Sequence, residues 1–173
     1  MTTREAESRH VAAAEGLAYN TLRQLIHWDP SMMIGDAQID AEHEKIFQLA
    51  EHACSLSRDH ENAAELVRAF NQFGETLFSH FTNEERKLFD AQYANASRHL
   101  AQHQAMRSEF EYIRQRLVEN GIGWAYEEQA LVVLNFMIGV TVGHVLQSDS
   151  DFANSAGGAS LLGSDGKKDE GRV

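Results

Sequence analysis

Histidines and carboxylates in this chain recur at spacings that share one helix face, and that face is otherwise apolar. His80 and Glu84 are four apart, as are His99 and His103, so on a helix each pair projects toward one point. Spacings of three and four mark the seams that carry them. One seam reads Ile39, His43, Ile46, Ala50, and a second reads Leu66, Phe70, Phe73, Leu77, His80, Glu84, Leu88. A third reads His99, His103, Met106, Phe110, Ile113, Leu117, and a fourth Ala130, Leu134, Met137, Thr141, His144. An unpaired polar group buried in such a seam costs roughly a few kcal/mol, and an unpaired carboxylate more. A metal-free network of imidazoles and carboxylates could satisfy these groups, but one seam carboxylate cannot serve all the rings. A pair of cations accepts every ring at once and neutralises the carboxylate. Asp149 follows His144 by five, about 140° round an ideal helix. It joins the set only if the helix frays there and the chain bends back.

The other histidines act as a control. His52 lies nine residues after His43 and faces the opposite side of the helix, while His10, His27 and His60 fall in an N-terminal arm or near helix ends. All four read as non-ligands. Five imidazoles and two carboxylates exceed one tetrahedral zinc and are too nitrogen-rich for calcium or magnesium. Two ions of octahedral type sharing carboxylates fit better, with iron the common biological choice. The ferritin-like pattern needs two copies of Glu-x-x-His, and the chain has only Glu7 to His10, in the arm.

The elements that must position these residues are helices at roughly 39–58, 62–89, 96–119 and 124–148, with Asn62 and Glu65 reading as an N-terminal cap. A helical arm runs from about Glu5 to Ile26, and Trp28 to Ala37 reads as irregular chain broken at Pro30 and Gly35. Gly121-Ile122-Gly123 separates the last two helices, and Gly139 and Gly143 are expected to permit close helix approach. No strand-like alternation appears. Short connections make antiparallel neighbours. The fold expected is therefore all-α, an antiparallel up-down-up-down four-helix bundle with an N-terminal helical arm. The chain divides into the arm at 1–27, the bundle at 28–150, and a flexible polar tail at 151–173.

Composition narrows the function classes. The 173 residues are 43% hydrophobic and 24% charged, ordinary for a soluble domain. A formal charge of -11 argues against nucleic acid or an anionic membrane surface as partner. The single cysteine, Cys54, cannot form an internal disulfide. Together with the lack of a signal-peptide pattern this points to the cytoplasm. Ala130 to Leu146 is nearly all apolar but contains Asn135, Thr141 and His144 and falls short of the ~20 residues of a typical span. Burial inside a protein explains it better.

The motif set resembles the hemerythrin family, bacterial hemerythrins in particular. The resemblance runs from Trp28 to Asp149. It is carried by Trp28-Asp29-Pro30, Ile34-Gly35, Ile39-Asp40-Ala41-Glu42-His43, His80-Phe81-Thr82-Asn83-Glu84-Glu85, His99-x-x-x-His103 and His144-x-x-x-x-Asp149. It implies a non-haem di-iron centre in which His99, His103 and His144 hold one iron and His43 and His80 the other. Glu84, Asp149 and a solvent-derived oxo or hydroxo group would bridge them, and the open position of the second iron would take dioxygen. Ile46, Phe81, Val140 and Thr141 are then the expected pocket walls, Ile46 and Phe81 each close to a ligand of the open iron. Val140 and Thr141 replace the Trp and Leu common at those positions. The Thr141 hydroxyl either makes the pocket wetter, which would hasten decay of the oxygenated form, or bonds back to the carbonyl four residues earlier. The resemblance implies reversible oxygen binding for transport, storage or delivery, without enzymatic turnover. A sensing module that self-associates or meets a protein partner through the arm, and a di-iron enzyme acting on nitric oxide or peroxide, are the alternatives.

Overall fold

The computed structural model describes residues 21–119 and 125–155, and among these the chain is helical with no strand. Most of the expected arm, with Glu7 and His10, lies outside the described residues, as do the Gly121–Gly123 linker and the tail beyond Ser155. The described end of the arm is helical over residues 21–25, and Ile26 is buried as part of the core.

The run after Trp28 is irregular but tightly tied. Asp29 accepts from the Ser31 amide and caps a 3-10 turn, Pro30–Met32. Pro30 at its first position has no N–H to leave unpaired. Gly35 has φ 93°, a conformation that side-chain-bearing residues resist. The Asp40 carboxylate accepts from the amides of Ile34 at 2.7 Å and Gly35 at 3.1 Å. Asp36 caps the first long helix, α1 (Ala37–Leu56), by accepting from Gln38 and Ile39, and it also pairs with Lys87. The Ile34-Gly35 and Asp40 motif residues are therefore a clasp that sets where α1 begins.

Helix α2 spans Ala63–Asp90 and α3 spans Ala96–Glu119. Asn62 precedes α2 as expected, yet its side chain makes no capping bond. A 3-10 turn at His60–Asn62, capped by Asp59, leads the chain in, and Asn62 Nδ2 reaches back to the Leu56 carbonyl at 3.5 Å. The turn after α2 closes with the Tyr93 amide on the Leu88 carbonyl at 3.1 Å and Gln92 at φ 51°. This is the left-handed position usually given to glycine, and it delivers His99 to the start of α3.

The last helix begins as α4 (Tyr126–Ile138), continues without a break through a π-helical stretch, Gly139–Asp149, and ends in an α-turn, Ser150–Ala153. It outruns the expected end at 148. Phe152, assigned by its polar neighbours to the tail, is buried edge-on against Tyr93 at 5.2 Å. By length and composition Tyr126–Ala153 could cross a membrane, but half of its apolar window is buried inside the protein, as expected of a core helix.

Helices α1 and α3 both pack on α2, and the last helix packs on α1, α2 and α3. Every seam residue expected inward is buried except Met106, which is half-buried. At one end the core is aromatic: Phe70 stacks on Phe110 at 4.5 Å, and both meet Phe136. Close approach is enforced there by Gly74, where a Cβ would fall 2.1 Å from the Phe110 ring. The expectation for Gly139 and Gly143 is overturned. Both are exposed, and a Cβ on either meets nothing within 4 Å, so among the described residues no helix approaches over them.

Candidate metal centre

At the opposite end of the core the seams turn polar. His43, His80, Glu84, His99, His103, His144 and Asp149 are all buried and converge on one another. Each helix contributes through a different local geometry. In α2 and α3 the i, i+4 spacing stacks His80 with Glu84 and His99 with His103, as α-helical periodicity requires. The five-residue step from His144 to Asp149 is solved differently from the fraying expected of it. In a π-helix the backbone bonds i to i+5, so residues five apart share a face. His144 Nε2 lies 3.3 Å from Asp149 Oδ1, with the helix continuing to Ala153.

The potential ligand atoms fall into two groups, each with its members within 4.8 Å of one another: Glu84 with His99, His103 and His144, and Asp149 with His43 and His80. The carboxylates join them. Asp149 Oδ2 is 3.1 Å from His43 Nε2 and 3.4 Å from His80 Nε2. Its Oδ1 is 3.4 Å from His99 Nε2 and 3.3 Å from His144 Nε2. One oxygen thus faces each group. Glu84 Oε2 sits 3.0 Å from His99 Nε2, 3.2 Å from His103 Nε2 and 3.9 Å from His80 Nε2.

The same groups show why protein atoms alone do not finish this site. Glu84 Oε1, Asp149 Oδ1 and His80 Nε2 are buried without a hydrogen-bond partner, and the last two face the other side chains of the cluster. His103 Nε2 and His144 Nε2 face each other at 2.9 Å, a contact in which only one can donate. Orphaned buried polar atoms are rare in native proteins, and here they are the atoms that a cation would use. The donor set of imidazole nitrogens and carboxylate oxygens suits a transition metal.

Electrostatics agree. Burial works against ionisation of Asp149, but the His43 hydrogen bond and the His80 and His99 rings at 3.4 Å hold its carboxyl well below the usual range. Burial and the charge of Asp149 oppose ionisation of Glu84, and the bonds from His103 and His99 outweigh them. For His80, burial resists protonation, yet Asp149 and Glu42 push it up to about 10. Asp149 and Glu84 likewise overcome burial and raise His99 to about 9. His144 is pushed down to about 4, chiefly by burial. The two carboxylates thus favour positive charge on the rings beside them.

The surroundings were only partly legible beforehand. Ile46, Phe81, Val140 and Thr141 are all buried. Phe81 lies differently from expectation: it stacks on His103 at 3.8 Å and meets His144 edge-on at 5.5 Å, with His80 at 5.9 Å. It therefore borders both groups and leans on the three-histidine one. The Thr141 hydroxyl donates to the Met137 carbonyl at 3.0 Å, which is the back-bonded alternative. Trp28 covers His43 with its ring at 6.2 Å and rests on Phe47. Outside the set, His27, His52 and His60 are exposed, as expected of non-ligands.

Two further carboxylates of the motif meet ligand rings from behind. Glu42 Oε2 accepts from His80 Nδ1 at 3.2 Å, and Glu85 Oε1 from His103 Nδ1 at 2.8 Å. Their adjacency to ligand positions was the available signal, but the partners come from other helices or other turns and no spacing reveals them.

No curated protein and no solved structure matches the chain. The family model of the hemerythrin HHE cation binding domain, however, matches residues 35–155, a span that includes all seven converging side chains and the clasp at Gly35. On that match and on this geometry, the chain belongs to the hemerythrin family.

Proposed function

We propose that the seven side chains hold two iron ions and that the protein binds dioxygen reversibly at them, as a carrier, store or delivery protein rather than an enzyme. The helices are read as an antiparallel up-down-up-down four-helix bundle with the ions at its polar end. The observation that carries this reading is the unequal division of donors, three rings in one group and two in the other, with one oxygen of Asp149 turned to each. If the carboxylates are shared, the two-ring position has one donor fewer and keeps room for a small ligand.

Iron at both positions would supply the two electrons that dioxygen draws on when it binds. The chain's own residues do the rest. The rings of His43 and His80 orient one position, and those of His99, His103 and His144 fill the other. Ile46, Phe81 and Val140 are apolar and fully buried, so they exclude water from the ligand's surroundings. The Thr141 hydroxyl is committed to the backbone. Trp28 closes the pocket over His43.

The test is the visible spectrum of reduced, iron-loaded protein before air, in air, and after oxygen is removed. A charge-transfer band that appears with air and vanishes on deoxygenation supports carriage. Slow one-way oxidation without a reversible band overturns it in favour of sensing, and catalytic turnover of peroxide or nitric oxide with a reductant would make the protein an enzyme.

A further inference from the structure

We propose that Glu42 is the positioning residue of the two-histidine metal position: its carboxylate fixes the His80 ring and sets how strongly that ring donates. The inference rests on the di-iron reading above and deepens it. Each group of ligands contains one ring whose far nitrogen is held by a carboxylate, His80 by Glu42 and His103 by Glu85. In the two-histidine group His80 is the ring so held, because His43 Nδ1 is buried without a hydrogen-bond partner. A carboxylate on the far nitrogen fixes the tautomer and orientation of a ligand imidazole and makes it a stronger donor.

The two clamps are not equivalent. Glu85 is 34% exposed and lies 3.6 Å from the Arg107 guanidinium, so its charge is shared and partly screened by solvent. Glu42 is 19% exposed, and its other partners are neutral amides: Asn83 Nδ2 at 2.6 Å and Gln38 Nε2 at 3.1 Å. These amides aim the carboxylate without compensating it. Glu42 therefore delivers the larger part of its charge to His80, and it does so at the position that keeps room for a ligand. The two ions are made electronically unequal from outside their own ligand set.

The test compares Glu42→Gln with Glu85→Gln in full-length, iron-loaded protein, with Glu44→Gln on the exposed face of α1 as control. Two readouts are independent of oxygen binding: the rate at which iron is lost to a ferrous chelator, and the midpoint potential of the iron pair. Glu42→Gln keeps an acceptor for His80 and removes the charge. It should release one of the two irons about 10- to 100-fold faster and raise the midpoint potential, with smaller changes in Glu85→Gln and none in the control. Should Glu42→Gln fail to fold, Asn83→Ala, which leaves the carboxylate but frees it, should show the same selectivity for one iron in smaller measure. Wild-type protein that holds no iron defeats the di-iron reading. Wild-type protein that holds two, with Glu42→Gln matching it in iron release and potential, defeats this inference alone.

Discussion

The two ends of the core are held together by different means. At the aromatic end, Phe70, Phe73, Phe110 and Phe136 fill the space between helices, and Gly74 exists to let Phe110 in. That end is closed by shape. At the ligand end, seven polar side chains occupy the same seams, and four of their buried atoms have no hydrogen-bond partner among the described residues. That end is closed by whatever satisfies those atoms. The comparison teaches that one set of helices can carry a self-sufficient core and a dependent one within a few turns. It also separates substitutions that should cost stability from those that should cost metal.

The sharpest break is Asp149→Asn. Because one Asp149 oxygen faces each group, loss of its charge should remove both of the proposed ions, whereas His144→Ala should weaken one. Metal analysis of the purified variants checks this, and full retention by Asp149→Asn would dissolve the distinction between the ends. Gly74→Ala tests the other end. The added methyl meets a Phe110 ring already pinned between Phe70 and Phe78, so stability should fall by about 1–3 kcal/mol with metal content unchanged. Denaturant unfolding reads the first and metal analysis the second.

A smaller effect is expected at the clasp that starts α1. Asp36→Ala removes a cap and an ion pair to Lys87 and should cost about 1 kcal/mol at pH 7. Burial opposes the Asp36 charge, but Lys87 and the Ile39 and Gln38 amides hold its carboxyl below the ordinary carboxylate range. The sign follows: a depressed carboxyl stabilises above the unfolded value, and that contribution fades as pH falls through the folded one. Unfolding curves of wild type and variant should therefore converge as pH falls below the ordinary carboxylate range. The smallest effect belongs to Thr141→Val. Its hydroxyl serves the Met137 carbonyl rather than the pocket, so autoxidation should change only slightly. Thr141→Leu, which alters volume, should change it more.

Much of this arrangement could be read from residue order, for a physical reason. The seams on α2 and α3 are regular, so their periodicity named Leu66, Phe70, Phe73 and Leu77 as core and set His80 against Glu84. What stayed hidden depends on tertiary contact or on departure from the regular period. Phe152 is close in sequence to Asp151 and Asn154, yet it is buried, with Tyr93 beside it. Gly74 looks no different from Gly139 or Gly143 until Phe110 is placed. Asn62 has the right type for a cap, but the 3-10 turn before it takes over the task. Glu42 and Glu85 find their rings from neighbouring helices. Asp149 could be joined to His144 from spacing only by supposing a frayed helix end, because an ideal α-helix places them apart; the π-helical period joins them instead.

That last helix is written in two rhythms. From Tyr126 to Ile138 it keeps the α period, and from Gly139 to Asp149 each turn takes up more chain. The change of phase lets one unbroken rod show a hydrocarbon face at its start and a coordinating face at its finish, without proline, kink or loop. Removing a single residue within the slower stretch would rotate Asp149 away from its partners while leaving everything before it in place.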